Sequence, residues 1–301
     1  MNPRVSAVIV TYRSREALPA CLQSLRECAE RVRLEVIVVD NDSGDGTPNW
    51  IQSKFSEVRV IANPDNRGFA RAVNQGLSHA RGEFLLVLNP DCVMPPVALE
   101  RLVGAARARR DVAAVAPTLL DGASRPARSC GRFPNLWTLF CDHLGLARTF
   151  PDSRLFGGYK YGGCPRETLR RVDWASGAAL LIPRSAYERV GGLDENFFMY
   201  MEEVDWCRRC AAHGLSVHYV PEARIVHYGQ LSSRHVPSAT YLHNLRSRVY
   251  YFRKHHGRAA AEVVKVILLA SLVLKWCVSV GARTPLTGHV YAAGLNAVWA
   301  A

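Results

Sequence analysis

Through about residue 117 the chain alternates short apolar runs with segments whose apolar residues recur at helical spacing. Val5 to Val10 is a valine-rich run, and Leu18, Cys21, Leu22, Leu25 and Cys28 follow at intervals of three and four, which predicts a strand and then an amphipathic helix. Leu34 to Val39 repeats the strand signal and stops at the turn-rich run from Asp40 to Thr47, where Thr47-Pro48 predicts a helix cap with proline in the first position. Trp50, Ile51 and Phe55 mark the short helix that follows. Val58 to Ala62 predicts a third strand, Asn63 to Gly68 a turn, and Phe69, Ala72, Val73, Gly76 and Leu77 one face of a third helix. Phe84 to Leu88 is apolar throughout, as a strand buried on both faces would be, and Asn89-Pro90-Asp91 stops it in a turn. Leu99, Leu102, Val103 and Ala106 predict the next helix, with Arg107, Arg109 and Arg110 at the end where cations complement its dipole, and Val112 to Ala116 predicts a further strand. Such alternation implies right-handed crossovers and a mostly parallel sheet, an α/β unit of the nucleotide-binding kind.

The regular pattern fails from Thr118 to Val172, which is rich in Gly, Pro and Arg and carries Phe133, Trp137, Phe140, Phe156, Tyr159 and Tyr161. A long irregular insert either lines a site or is an excursion with some core contacts. Order returns from Trp174 to Pro183, and Tyr187 to Gly191 reads as a short helix ended by glycine. Leu215 to Val220 is strand-like and contains His218, while His227 follows Arg224-Ile225-Val226; each histidine is either a satisfied core residue or a ligand.

Composition adds a globular class, with 49% hydrophobic and 21% charged residues, and a net charge of +12 that calls for an anionic partner: a phosphate-bearing ligand, an acidic lipid surface or nucleic acid. From Arg224 onward there are ten Lys or Arg against one acid, Glu262. Val263 to Val280 reads as an almost wholly apolar helix with Ser271, Lys275 and Ser279 in one polar stripe. Its uninterrupted run, Val266 to Leu274, is too short to span a bilayer, so a basic helix lying in an anionic membrane interface is expected, with a core-packed helix as the alternative. Nine cysteines at scattered spacings form no complete disulfide framework, and Cys207-Arg208-Arg209-Cys210 falls in a predicted helix without a second pair. The apolar run at Ala7 to Val10 leads straight into Thr11-Tyr12-Arg13 and is no secretory signal, so residence in the cytoplasm is expected.

Two acidic features carry candidate chemistry. Asp91 follows a buried strand at the ligand edge of the predicted sheet, where a carboxylate can hold a divalent metal against a phosphate; Asn-Pro-Asp is also ordinary turn chemistry. Glu202, Glu203 and Asp205 crowd three carboxylates into an aromatic and apolar stretch, either as a functional cluster or as an acidic helix start. A nucleotidyltransferase would need a glycine-rich, lysine-bearing phosphate loop after the first strand, and Thr11-Tyr12-Arg13-Ser14 is not one. No nucleic-acid-binding motif accompanies the basic tail.

Taken in order, Val8-Ile9-Val10-Thr11-Tyr12, Val39-Asp40-Asn41-Asp42-Ser43, Asn66-Arg67-Gly68-Phe69-Ala70, Asn89-Pro90-Asp91, Ala175-Ser176-Gly177-Ala178, Phe198-Met199-Tyr200 leading into Glu202-Glu203-Val204-Asp205, and His227 resemble the family 2 inverting glycosyltransferases, in the branch that includes bacterial rhamnosyltransferases of cell-surface polysaccharides. The resemblance spans roughly residues 4 to 256. It implies a glycosyltransferase A-type fold: an α/β catalytic domain over residues 1–230, with a nucleotide-sugar half (1–117) and an acceptor half (118–230), followed by a basic helical extension over 231–301.

It also implies roles. Asp40 would read the nucleotide base beside Thr11 and Tyr12, Asn66 and Gly68 would shape the turn near the donor, and Asn89 and Asp91 would stand in the place of the family's Asp-x-Asp motif. Asp91 and His227 would ligate Mg²⁺ or Mn²⁺, with Asn89 removing one negative charge that many relatives have. Glu203 would be the catalytic base, usually Asp, with Glu202 beside it; Glu202 and Asp205 would raise its proton affinity by repulsion. Trp174, Ser176, Gly177 and Asp205 would meet the acceptor. The implied partners are a nucleotide-sugar donor, dTDP-L-rhamnose above all, a glycan or lipid-linked oligosaccharide acceptor and the inner face of the cell membrane, with no nucleic acid. A UDP- or GDP-linked donor, or a catalytically silent scaffold relative, is the alternative.

Overall fold

The computed structural model describes residues 4–160, 170–229, 237–281 and 285–301. From the amino end the elements run β1 (Val5–Thr11), α1 (Leu18–Ala29), β2 (Leu34–Asp40), α2 (Thr47–Lys54), β3 (Arg59–Ala62), α3 (Phe69–His79), β4 (Phe84–Leu88), β5 (Cys92–Val93), α4 (Pro96–Arg107) and β6 (Val112–Leu120). Next come β7 (Cys130–Gly131), α5 (Leu136–His143), α6 (Leu146–Thr149), β8 (Arg170–Val172), β9 (Trp174–Ala175), β10 (Ala179–Pro183), α7 (Arg184–Val190), α8 (Glu202–Ala212) and β11 (Ser216–His227). The chain closes with α9 (Pro237–His256), α10 (Arg258–Gly281) and α11 (Pro285–Trp299).

The chain divides into two compact units, one of Met1–Gly131, Pro165–Asn196 and Glu202–His235, the other of Arg132–Cys164, Phe197–Met201 and Val236–Ala301. The first holds a sheet in the order β3-β2-β1-β4-β10-β6-β11-β5, with β8 paired to β11. β1 to β4 are mutually parallel, as the alternation of strands and helices requires, and β6 lies parallel to β11. β10 runs antiparallel between β4 and β6. It enters from the irregular insert and not through a crossover helix, so the rule that keeps its neighbours parallel does not bind it.

β1 and β4 are buried along their whole length, which explains the wholly apolar sequence of β4 and the apolar run of β1, broken by Ser6 and ended by Thr11. α3 lies close on β1 because Gly76 has no side chain: a Cβ there would stand 2.3 Å from Val8 Cγ1. The cap of α2 falls one residue earlier than predicted, on Gly46 at φ 74, while Asp45 Oδ1 accepts from the N–H and the hydroxyl of Thr47 at 3.0 and 2.5 Å. α7 ends on Gly191 at φ 83, as expected. His218 is a satisfied core histidine: it is buried, its Nε2 lies 2.9 Å from Ser216 Oγ, and burial holds its pKa below the usual range. Cys207 and Cys210 are buried in α8 and burial raises both thiols, the second to about 12, so this pair packs the core.

In the second unit the aromatic residues of the insert pack on one another. Trp137 stacks on Phe140 at 5.7 Å and meets Phe156 at 6.3 Å, and Phe150 meets Phe156 at 5.5 Å. The expectation placed on Tyr161 lies outside the described residues. Gly294 lets α11 approach α10 and α9, where a Cβ would stand 3.1 Å from Leu272 and 3.4 Å from Leu245. Of the predicted polar stripe of α10, Ser271 faces inward and Lys275 is half-buried. Ser271 is buried and donates to the His143 carbonyl at 2.9 Å, and burial lowers the pKa of the half-buried Lys275. Ser279's side chain lies outside the described residues. Among the described residues no helix is long and apolar enough to cross a membrane.

Candidate active site

The parallel pairing of β1 with β2 sets Thr11 opposite Asp40 at the carboxyl ends of both strands, the edge where open α/β sheets take ligands. Both side chains are buried, and neither Thr11 Oγ1 nor Asp40 Oδ1 makes a hydrogen bond among the described residues. The other oxygen of Asp40 accepts from the Ser43 N–H at 3.1 Å. Burial raises the Asp40 pKa and the Ser43 bonds oppose it. Ser43 Oγ in turn accepts from the N–H of Arg13, a left-handed residue at φ 50, next to the half-buried Tyr12.

Asn41 organises the turn from Asn63 to Gly68. Its Nδ2 donates to Asn66 Oδ1 at 2.8 Å and to the Gly68 carbonyl at 3.2 Å, and its Oδ1 accepts from Asn63 Nδ2 and from the Arg67 N–H. Asn66 Oδ1 also accepts from the Gly68 N–H at 3.0 Å. Gly68 caps α3 at φ 82 and ψ 168, a conformation essentially reserved for glycine. Asn41 lies inside a motif quoted above, yet its organising role is invisible in sequence because every partner but Gly68 is another polar turn residue.

At the end of β4, Asp91 meets His227. β11 pairs antiparallel with β5, setting His227 opposite Cys92, and His227 Nε2 stands 3.2 Å from Asp91 Oδ1. Nε2 is buried and makes no hydrogen bond among the described residues, while standing within ion-pair distance of the Asp91 carboxylate. Asp91, Cys92 and His227 form a group whose ligand atoms all lie within 4.8 Å. The Cys92 thiol donates to the Ala178 carbonyl at 3.4 Å and burial raises its pKa well above the usual value, which leaves the imidazole and the carboxylate as the pair suited to Mg²⁺ or Mn²⁺. Asn89 bonds through its backbone, its N–H donating to the Ala178 carbonyl at 2.9 Å.

The segment from Ser176 to Ala178 joins this pair to the acidic helix. The Ala178 carbonyl serves Asn89 and Cys92, and one residue before it a Cβ on Gly177 would lie 3.7 Å from the Cβ of Glu203. The segment thus borders Glu203 at Gly177 and, through the Ala178 carbonyl, the turn that carries Asp91 and Cys92. Ser176 holds the segment in shape: its N–H donates to the Ser129 carbonyl at 2.8 Å and its hydroxyl accepts from the Ala178 N–H at 3.3 Å. Glu203 is half-buried and walls an apolar recess with Phe69, Val73, Gly177, Leu193 and Trp206. Tyr200 and Met201, just before α8, both take positive φ (68 and 70), the kind of backbone strain that gathers at functional sites.

Three expectations change. Asp205 is fully buried and ion-paired to Arg209 at 2.9 Å, so its carboxylate cannot meet an acceptor. Trp174 is also inside, at 5% exposure, paired across from Gly131. Glu202 is buried, and its pKa is pushed well above the carboxylate range, first by burial and then by Glu203. Glu202 is thus set inside the fold and Asp205 is engaged by Arg209, which leaves Glu203 as the half-buried carboxylate of the three.

A family model described as Glycosyl transferase family 2 matches residues 6–173. The N-acetylglucosaminyl-diphospho-decaprenol L-rhamnosyltransferase of Mycobacterium tuberculosis is 30% identical over 287 residues, covering 91% of this chain and 92% of that protein. Rhamnosyltransferase WbbL of Escherichia coli is 28% identical over 178 residues, covering 58% of this chain and 63% of that protein. Among solved structures, the mannosyltransferase PcManGT of Pyrobaculum calidifontis, in complex with GDP-Man and Mn²⁺, is similar at a TM-score of 0.53 and 20% identity over 100% of this chain and 76% of that one. This likeness establishes the glycosyltransferase A-type fold. With the family match spanning more than half of the sequence and the mycobacterial relative nearly all of it, the chain belongs to glycosyltransferase family 2.

Proposed function

We propose that the chain transfers L-rhamnose from dTDP-L-rhamnose to a hydroxyl of a glycan or lipid-linked oligosaccharide, with inversion at the anomeric carbon. What supports the reading is the Asp91–His227 pair, at 3.2 Å, together with a Ser176–Ala178 segment that borders both Glu203 and the turn carrying Asp91. The sugar is suggested by the names of the mycobacterial and E. coli relatives. The proposed catalytic assignment falls in the first compact unit, and the nucleotide-sugar half, 1–117, lies wholly within it.

In this reading the buried Asp40 carboxylate accepts from the N–H of the donor base, with the Thr11 hydroxyl beside it. The Asn41 network holds Asn66 and Gly68 in the turn that shapes the donor site. Asp91 and His227 would hold the divalent cation, which when bound neutralises charge on the departing diphosphate as a Lewis acid. Glu203 takes the proton of the acceptor hydroxyl as its oxygen bonds the anomeric carbon and the bond to the diphosphate breaks, releasing a nucleoside diphosphate. Glu203 is one methylene longer than the family's usual Asp, and glycine at 177 leaves space beside it.

A panel of dTDP-, UDP- and GDP-sugars with Mn²⁺ and a lipid-linked acceptor, assayed for released nucleoside diphosphate, tests this. The reading expects dTDP release from dTDP-L-rhamnose and an inverted anomer by NMR. Release from UDP- or GDP-sugars alone overturns the donor, and a retained anomer overturns the mechanism.

A further inference from the structure

We propose that the outward face of α10 is a docking surface for an anionic lipid bilayer. Val266 is 66% exposed, Leu274 53%, Val273 45% and Val263 44%, and Ala259, Ala270 and Cys277 are exposed with them. On a helix of 3.6 residues per turn these seven positions fall within about 100° of arc and, from 259 to 277, run for about 27 Å. No polar side chain interrupts the arc. Globular proteins rarely leave such a contiguous apolar strip open to water unless something binds it.

The opposite face explains why this one points outward. Ala261, Val264, Leu268 and Leu272 are buried, and Ser271 is bonded to the His143 carbonyl, so the helix already has its packing side. Ser271 of the sequence stripe is consumed there. One flank of the outer arc carries Arg258, the Glu262–Lys265 ion pair at 3.3 Å and the 45% exposed Trp276, an amphipathic ring suited to the depth of lipid headgroups.

Charge selects the occupant. Between residues 237 and 281 there are seven Lys or Arg and one acid, and Arg246, Arg253, Lys254 and Arg258 are exposed at and before the start of α10. A second copy seated on this face by a two-fold axis would bring that positive charge against itself. A bilayer with anionic headgroups takes up both features, the apolar strip at the headgroup boundary and the exposed cations at and before the helix start. With no described helix able to cross, the contact is peripheral.

The test is co-sedimentation of the full chain with phosphatidylcholine vesicles, with and without phosphatidylglycerol, read without turnover so that its failure is separate from any failure of the transferase reading. Wild type should bind the anionic vesicles and release as salt rises. V266D/L274D should weaken that binding by at least about tenfold, about 1.4 kcal/mol, with unchanged circular dichroism. Maleimide modification of Cys277 in the wild type, mapped by mass spectrometry, should slow when anionic vesicles are added, a reading that needs no substitution. Wild type that ignores vesicles, a double variant that binds as well, or Cys277 modified at the same rate overturns the proposal. A wild-type dimer that V266D/L274D dissociates in light scattering assigns the face to a second copy instead and overturns it too.

Discussion

Arg209 donates from Nε to Asp205 Oδ2 at 2.9 Å across one turn of α8, and its two other nitrogens reach the carbonyls of Val190 at 3.0 Å and Gly192 at 2.6 Å. Trp206 Nε1 adds a bond to the Gly191 carbonyl at 2.8 Å. The loop after α7 is thereby stapled to the helix that carries Glu203, and the acid that the sequence offered for acceptor contact belongs to this staple.

Removing Asp205 leaves a largely buried guanidinium without its carboxylate. Asp205→Ala should lower the free energy of unfolding in urea by about 3 kcal/mol, and Asp205→Asn by less. The KM for acceptor in the folded fraction should stay at the wild-type value; a raised acceptor KM with intact stability would return Asp205 to the binding site.

Glu202 gives a pH-dependent prediction of defined sign. Its pKa is raised in the folded chain above the ordinary 4.5, so its contribution to stability is complete below that value and is lost as pH rises toward the folded pKa, because the unfolded chain releases the proton first. Glu202→Gln, which keeps the neutral shape, should match wild type near pH 4 and gain on it above, by up to about 1.4 kcal/mol per pH unit. Thermal melts of both proteins from pH 4 to 8 check this. A gap that does not widen with pH would mean that Glu202 is ionised in the fold.

The same substitution separates the two glutamates in catalysis. Glu202→Gln should cost much less than the roughly 10²-fold minimum that a general base is worth. Initial rates of nucleoside diphosphate release decide it, and a loss as large as that of Glu203→Gln would make the pair act as one.

Asp91→Ala and His227→Ala should each weaken Mn²⁺-dependent binding of nucleoside diphosphate by at least about tenfold in calorimetry, with metal-free binding little changed. Equal binding with and without Mn²⁺ in wild type would remove the metal role from this pair.

The strands and helices of the nucleotide half were legible because burial on both faces writes an unbroken apolar run and one-sided packing writes a 3.6 period, as in Phe84 to Leu88 and Leu18 to Cys28. Strand direction has no such signature, so the reversed β10 was not. Asp205 and Arg209 share the helical spacing of an ion pair, yet nothing in sequence tells a buried pair from a solvated one. The stripe Ser271 and Lys275 was legible but the side it faces was not, since a hydroxyl can turn to a buried carbonyl as readily as to water. Asp91, His227 and Glu203 were proposed from resemblance; the segment that borders them, the Ala178 carbonyl beside a bare Gly177, is backbone, which sequence pattern does not record.

The central claim is that Glu203 takes the acceptor proton. Single-turnover transfer by Glu203→Gln, with donor binding measured on the same protein by calorimetry, tests it most directly. The account predicts a rate lower by about 10²- to 10⁴-fold with donor affinity unchanged; transfer at the wild-type rate would contradict it.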